Sequence, residues 1–248
     1  PYHASELTET KIAKDFTNSS MEELAKRILC AEADVKERYP KLHKFNSADC
    51  EETIRTIRIQ NDKGVCMEDT IQYASGWLQA EVLDEDVVQT SSSACVMPNA
   101  KQMDFEEMFA SAAADACNMR GAKPLTTGKY PVVLKNSIIC EMLSMYVGAF
   151  GADQVRKKLS KLAESKDTQV ASEVICLSEE PALEGGVNNR AFDDKGHPTV
   201  PKKLIENGVL KQFLYNQEEA GKEGTPATGN GFKKSYKGKP EIGVTNLV

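Results

Sequence analysis

The sequence predicts an α+β protein, in which an N-terminal helix plus antiparallel sheet is followed by a β-rich second region with packed helices. Three observations predict this architecture. A helix-capping signal at Ser20 precedes an apolar pattern of helical period. Strand-like runs surround a turn at 61–64, and two more surround the pair Asn207 and Gly208.

The charge balance limits the partners to be expected. The chain has 248 residues and a formal net charge of -6. This length can bury a hydrophobic core in one large or two ordinary domains. Nucleic-acid-binding proteins concentrate Lys and Arg on one face, so the acidic balance argues against a nucleic-acid partner. Because no long apolar run or signal segment is visible, we expect no membrane association and a cytoplasmic location.

The cysteines predict reduced thiols. Seven are dispersed along the chain, and no two of them have C-x-x-C spacing. This pattern is typical of a cytosolic protein and differs from a disulfide framework or a structural zinc site. We therefore expect no metal and no cofactor.

The first half of the chain begins with a helix and a β-hairpin. Ser20 and Glu23 form an S-x-x-E capping box at the start of a helix over 20–38. Strands are predicted over 53–60 and 65–82, since Asn, Asp and Gly between them tolerate a left-handed turn.

A second helix and a connector follow. Asp104 places an acceptor at the N-terminus of a helix over 104–119. The Pro/Thr/Gly connector at 123–129 then predicts a domain boundary. We expect an N-terminal α+β domain over 1–125 and a β-rich domain over 126–248, truncated at its C-terminus.

The second half begins with a strand and two helices. The apolar run at 130–134 predicts a buried strand, and Asn136 is predicted to cap the helix that follows. A basic helix is expected over 153–163.

A short strand is predicted over 173–177, before a loop over 179–198 that is long enough to suggest function. Strands over 199–205 and 208–215 flank an Asn-Gly pair, the strongest short-range hairpin signal. Residues 221–243 are glycine-rich and are expected to be irregular.

Six segments in the same order resemble the TldD/PmbA family, also called modulators of DNA gyrase. They cover residues 128–248 and read GKYPVVL at 128–134, QVAS at 169–172, FDDKGHPT at 192–199, LIENGVLKQFLYN at 204–216, TGNG at 228–231 and TNLV at 245–248. The resemblance implies a peptidase system for small or unfolded proteins, which works as a pair of similar subunits.

In the family, the TldD-type subunit has His-Glu-x-x-x-His on a helix directly after the strand that YPVVL resembles. Two histidines on one helix face hold zinc, and the glutamate takes a proton from the bound water. Here that helix reads SIICEMLSMYVGAFG at 137–151, and the only histidines are His3, His43 and His197. The chain therefore resembles the PmbA (TldE) type, a subunit without the zinc motif that is expected to be inactive alone. The expected partner is a TldD-type zinc subunit, in a homo- or heterodimer.

Two groups of residues are candidate site residues. The glycines of one segment could let a peptide backbone approach closely, which predicts peptide binding at Thr228, Gly229, Asn230 and Gly231. The family resemblance instead implies a shared structural loop at Phe192, Asp193, Asp194 and Gly196. No catalytic residue and no metal ligand is predicted.

Three alternatives remain open. His197 could act as a base beside two aspartates, although Asp, Gly and Pro around it suffice to explain a turn. Cys140 could be a nucleophile with His197 as its base, although a thiol on an apolar helix is usually structural. The chain could also be a binding or regulatory module, such as a gyrase modulator, with no role in proteolysis.

Overall fold

The computed structural model describes residues 19–62, 64–84 and 87–248. The predicted α+β class is confirmed. The helices are α1 (Met21–Arg38), α2 (Phe105–Asn118), α3 (Asn136–Tyr146), α4 (Ala152–Arg156) and α5 (Gln217–Glu223). The strands are β1 (Leu42–Gln60), β2 (Cys66–Asp84), β3 (Val87–Met97), β4 (Leu177–Glu180), β5 (Lys202–Glu206), β6 (Val209–Leu210), β7 (Gly231–Phe232), β8 (Glu241–Ile242) and β9 (Asn246–Leu247). His3, and Lys63 of the predicted turn, lie outside the described residues.

The chain divides into two compact units. The helix–sheet unit contains, of the described residues, 19–55 and Gln72–Tyr130. The signature unit contains Thr56–Ile71 and Pro131–Val248, so the tip of the β1–β2 hairpin belongs to it. Each unit has its own buried apolar core.

The helix–sheet unit is built on a sheet of order β1-β2-β3. Strands β2 and β3 are antiparallel, with Gly76 opposite Cys95. Helix α2 packs against α1 and β3. Its Phe109 is fully buried and meets the ring of Phe45 edge-on, with ring centroids 4.6 Å apart. Helix α2 therefore covers the sheet, and buried residues of α1, α2 and the sheet form one core, as expected for this fold class.

The helix starts are only partly as predicted. Helix α2 begins as expected, because Asp104 Oδ1 accepts a hydrogen bond from the Glu107 amide at 3.0 Å. Helix α1 begins after Ser20, but the Ser20 side chain makes no capping hydrogen bond. The predicted capping box is therefore wrong, although the helix that it predicted is present.

The signature unit is built on a sheet of order β6-β5-β4-β9 with antiparallel pairs. The Asn-Gly turn joins β5 to β6 and has positive φ at both residues, 49° at Asn207 and 77° at Gly208. This is the mirror-image turn that fits the twist of a hairpin, so the predicted hairpin is confirmed. The buried core of the signature unit consists of Phe150, Leu177, Leu204, Ile205, Leu210, Phe213 and Leu214.

The strand predicted over 130–134 is wrong. These residues belong to no strand, and the Val133 side chain is 98% exposed. An apolar run becomes a buried strand only where a neighbouring strand supplies hydrogen bonds and a covered face. Helix α3 follows as expected, but Lys135 rather than Asn136 is its N-cap, and no residue of α3 is buried.

Other boundaries differ from the prediction. The helix expected over 153–163 ends at Arg156, because Lys158 takes a left-handed backbone with φ 58°. The strand expected over 173–177 instead begins at Leu177. The hairpin strands are shorter than predicted, and β3 and α5 were not predicted at all. Tertiary pairing, rather than local propensity, sets these limits.

The expectations about the cysteines and about membrane association can be compared with the structure. All seven cysteines are free thiols. None of the helices in the described part of the chain has the length and apolar character needed to cross a bilayer.

Candidate functional site

The segment Phe192–His197 forms a closed turn around a buried carboxylate. Asp193 is fully buried, and its Oδ1 accepts hydrogen bonds from the amides of Lys195 at 2.9 Å and His197 at 3.0 Å. The Gly196 amide donates to the Asp193 carbonyl at 2.9 Å, and Gly196 has φ 84°. Gly196 thus takes the positive φ expected of the turn, and His197 is only 7% exposed.

The neighbouring Asp194 holds a buried arginine and a second backbone segment. Its Oδ1 accepts from Arg190 Nη2 at 2.7 Å, and its Oδ2 accepts from the Lys233 amide at 2.6 Å. The Arg190 guanidinium also lies 5.0 Å from the centroid of the Phe232 ring. Charge-assisted bonds of this kind are about twice as strong as neutral ones. Asp194 therefore ties the loop to strand β7.

The predicted peptide-binding segment lies directly against this loop. The Gly231 amide donates to Asp193 Oδ2 at 2.9 Å, and the Asp194 amide donates to the Gly231 carbonyl at 2.9 Å. Gly229 has φ 72°, and a Cβ there would overlap the Pro198 carbonyl. Gly229, Asn230 and Gly231 are buried, whereas Thr228 is half-buried. The structure thus brings the two groups of predicted residues together, and their polar groups bond to each other.

A fully buried Glu179 joins the same assembly to the end of the chain. Its carboxylate accepts from Asn230 Nδ2 at 2.9 Å and from the Thr245 amide at 2.8 Å. Lys202 Nζ lies 3.1 Å from Glu179 Oε2, and both side chains are almost completely buried. A buried carboxylate is tolerated only when its charge is paired and its lone pairs are filled, and both conditions are met here.

A cleft of about 1140 Å³ opens in the signature unit beside this assembly. Its apolar wall is formed by Leu143, Tyr146, Phe150, Leu162, Leu177 and Ile242. Asn216 and Pro240 also line it, and an ideal Cβ at Gly231 would lie 3.2 Å and 3.6 Å from their Cβ atoms. Gly231 of the glycine-rich segment therefore packs against two residues that line the cleft.

Another wall of the cleft is charged. Arg156 donates to both oxygens of Glu219, at 2.7 Å from Nε and 3.2 Å from Nη2. Lys222 Nζ lies 2.8 Å from Glu219 and 2.6 Å from Glu218. The hydrogen bond from Arg156 lowers the pKa of the Glu219 carboxyl to about 2, against an opposing effect of burial and with a further contribution from Lys222. Glu219 is therefore ionised at neutral pH.

Helix α3 contributes Leu143, Met145 and Tyr146 to the lining of the cleft. Its polar side chains include Cys140, which is exposed, and Glu141. Within residues 19–62, 64–84 and 87–248, no group of three or more His, Cys, Asp or Glu side chains is placed to hold a metal ion. The cleft can therefore offer shape, apolar surface and fixed charge to a ligand.

Sequence reasoning missed the cleft and the Arg156–Glu219 pair. Part of α5 could have been found, because Asn216 caps it by accepting from the Glu219 amide at 2.9 Å, and Gly224 ends it with φ 64°. An Asn start and a Gly stop are local signals. The pairing of Arg156 with Glu219 spans 63 residues, so no local pattern announces it.

Comparison with known proteins identifies the second half of the chain. Residues 127–248 match a family model described as the PmbA/TldA metallopeptidase C-terminal domain. A metalloprotease of Methanocaldococcus jannaschii is 30% identical over 132 residues, which are 53% of this chain and 29% of the relative. The metalloprotease PmbA of Escherichia coli O157:H7 is 30% identical over 108 residues, which are 44% of this chain and 24% of the relative. The matched region thus spans less than a third of these relatives.

Solved structures extend the similarity to most of the fold. A protein named as a modulator of a DNA gyrase from Thermotoga maritima has a TM-score of 0.80 and 27% identity, covering 90% of this chain and 51% of that one. TldE from Thermococcus kodakarensis shares the fold, with a TM-score of 0.78 and 21% identity, covering 93% of this chain and 52% of that one. The chain spans about half the length of both. Together with the ordered signature segments, these matches show that the chain belongs to the TldD/PmbA family.

Proposed function

We propose that this chain acts as the subunit without a zinc motif in a TldD/PmbA-type peptidase system of the cytoplasm. The observation that carries the proposal is the sequence of α3, NSIICEMLSMY, which contains no histidine. Two histidines on one helix face are what a His-Glu-x-x-x-His zinc site requires. The role left to this subunit is to pair with a zinc-bearing, TldD-type subunit and to help hold a small or unfolded protein substrate.

The cleft supports a peptide-binding role. Its volume of about 1140 Å³ can accommodate several residues of an extended chain. Apolar side chains of a peptide would pack on Tyr146, Phe150 and Ile242, and the charged wall at Arg156 and Glu219 would contact its polar backbone or charged side chains. Unfolded proteins expose both apolar side chains and polar backbone groups. A cleft with one apolar wall and one charged wall can bind both kinds of group.

The predicted peptide-binding residues 228–231 lie next to the residues that line the cleft. Thr228 Oγ1 donates to Asn230 Oδ1 at 2.7 Å, and Gly231 packs against Asn216 and Pro240. We propose that Thr228, Gly229, Asn230 and Gly231 act by fixing the shape of this wall, with Thr228 as the residue of the four that a peptide can approach.

Cleavage of an unfolded protein in a mixture tests the proposal. We expect no cleavage by this chain alone, cleavage when a TldD-type zinc subunit is added, and no zinc retained on this chain after dialysis. Replacing Tyr146 with Ala should lower the cleavage rate at limiting substrate about fivefold, as expected for an aromatic contact worth about 1 kcal/mol. Tyr236→Ala is the matched control, because Tyr236 is exposed and does not line the cleft.

Two outcomes would contradict the proposal. Near-stoichiometric zinc on the dialysed chain would show that it carries its own metal. Recovery of gyrase alone as a bound partner, without any peptidase subunit, would favour a regulatory binding module, which the name of the Thermotoga maritima structure suggests for that protein.

A further inference from the structure

Two cysteine–methionine sulfur contacts lie in the helix–sheet unit, and the ends of both methionine side chains meet over Gly76. Cys50 Sγ is 3.6 Å from Met103 Sδ, and Cys95 Sγ is 3.2 Å from Met108 Sδ. We call these four residues the sulfur cluster. Both methionines are buried in the unit's core, whereas both cysteines are half-buried.

A glycine makes room for this arrangement. Cys50 lies on β1 and Cys95 on β3, and the strand between them, β2, carries Gly76 opposite Cys95. An ideal Cβ at Gly76 would overlap Met103 Cε and lie 3.1 Å from Met108 Cε. Both methionine side chains therefore occupy the space over Gly76 that any larger residue would fill.

The two thiols cannot form a disulfide with each other. Adjacent strands lie about 4.8 Å apart, so positions on β1 and β3 are separated by roughly 9 Å or more. Cysteines whose Cα atoms are more than about 7 Å apart cannot be bridged without backbone movement. Each thiol instead contacts a thioether, Cys50 that of Met103 and Cys95 that of Met108.

We propose that the sulfur cluster is a binding site for one Cu(I) ion. Thiolate and thioether sulfurs are soft ligands that select Cu(I), whereas zinc takes Cys, His and carboxylate ligands rather than thioethers. Sulfur ligands about 2.3 Å from a tetrahedral metal lie about 3.8 Å from each other. The paired sulfurs are 3.6 Å and 3.2 Å apart, so a small outward movement of each pair would admit the ion. On binding, a coordinating thiol loses its proton to solvent and the copper keeps its oxidation state.

The surroundings of the cluster favour the lower oxidation state. Phe109, Ala74 and Leu78 belong to the same buried core as Met103 and Met108. A shell of apolar side chains limits the access of water to the two thioethers, and soft sulfur ligands favour Cu(I). The half-buried thiols provide the route by which an ion from solution reaches the thioethers.

Titration with Cu(I) alone tests the site. The full chain is titrated anaerobically against a coloured Cu(I) chelator that competes for the metal. We expect one chelator-resistant ion per chain, and an affinity more than about 100-fold lower in the double variant Cys50→Ser/Cys95→Ser, since loss of even outer-shell partners costs 10–100-fold. The control Cys30→Ser/Cys66→Ser removes two exposed thiols and should bind as the parent does.

A second variant keeps the test independent of folding. Met103→Leu/Met108→Leu preserves apolar volume and removes only the thioether sulfurs, so the core should be retained. We expect its Cu(I) affinity to fall about tenfold or more, with an unchanged circular dichroism spectrum. Parent-like affinity in this variant, or equal affinity in the two double-cysteine variants, would overturn the proposal and leave the cluster as core packing.

Discussion

The Glu179 carboxylate lies inside the signature unit and is shared by Lys202, Asn230 and Thr245. Its partners come from a β-strand, the glycine-rich segment and the end of the chain. At the residue scale, a single buried charge therefore holds together strand β5 and two of the segments that carry the family resemblance.

Replacing Glu179 with Gln should destabilise the protein strongly. The change removes the partner of the buried Lys202 ammonium, and an uncompensated buried charge costs about 3–5 kcal/mol in the free energy of unfolding. Urea unfolding measures the loss, with Glu184→Gln as an exposed control that should change stability by less than about 0.5 kcal/mol. If Glu179→Gln lowers the free energy of unfolding by no more than the control does, the Glu179–Lys202 ion pair does not contribute to stability.

Sequence reasoning found the turn residues but not Glu179. Asp193, Asp194 and Gly196 were predicted as a structural loop, and Asp-Gly turn chemistry is visible over a few residues. Glu179 bonds to residues 51 and 66 positions away. Such partners are brought together only by the fold, so no local pattern distinguishes Glu179 from its neighbour Glu180.

At the scale of elements, α5 shows how a short helix positions charge. It has seven residues, begins at the Asn216 cap and ends at Gly224. This places Glu219 against Arg156, which is the last residue of the short helix α4. The ion pair thus joins two helices that would be marginal alone, because helices of this length are not stable in isolation.

The stability contributed by Glu219 should depend on pH. Its folded-state pKa of about 2 lies below the ordinary 4.5. The contribution is therefore fully present above about pH 5 and is lost as pH falls towards 2. We expect Glu219→Gln to lower the free energy of unfolding by about 2–3 kcal/mol at pH 7 and by much less at pH 2.5.

Urea unfolding at both pH values measures this difference. Glu218→Gln is the matched control, because Glu218 lies on the same helix and contacts the same Lys222 but is exposed. An equal loss in the free energy of unfolding at the two pH values would contradict the prediction, because it would show that the ionised Glu219 carboxylate does not stabilise the fold.

The predictions of secondary structure were wrong where an element depends on a pairing strand that lies far away in the sequence. The run YPVVL at 130–134 has strand propensity, yet the described chain provides no strand beside it. Conversely, β3 contains three consecutive serines, which do not suggest a strand, but pairing with β2 makes it one. Strand formation depends on neighbours far along the chain, whereas the helices α1, α2 and α3 follow from spacing within one segment.

At the scale of the whole molecule, residues 130–146 present an apolar surface to solvent. Every residue in this range is exposed, including the α3 side chains that the helical pattern predicts for a core. Large exposed apolar patches are typical of interaction sites.

The exposure predicts that α3 contributes little to stability. Leu143→Ala should lower the free energy of unfolding by less than about 1 kcal/mol, whereas Leu214→Ala, in the same unit and fully buried, should cost about 3–5 kcal/mol. Urea unfolding of the two variants makes the comparison. A loss of more than about 2 kcal/mol for Leu143→Ala would show that α3 packs against a surface in solution.

The sequence by itself determined the α+β class, the helices α1 to α3, the Asn-Gly hairpin and the family, because each rests on patterns within a few turns or on ordered short segments. The tertiary structure alone decided the burial of Glu179, the cleft with its Arg156–Glu219 wall and the sulfur cluster around Gly76. The physical reason is the same in each case. Charge pairing, cavity shape and ligand geometry depend on distances between residues that are far apart in the chain, and those distances exist only after folding.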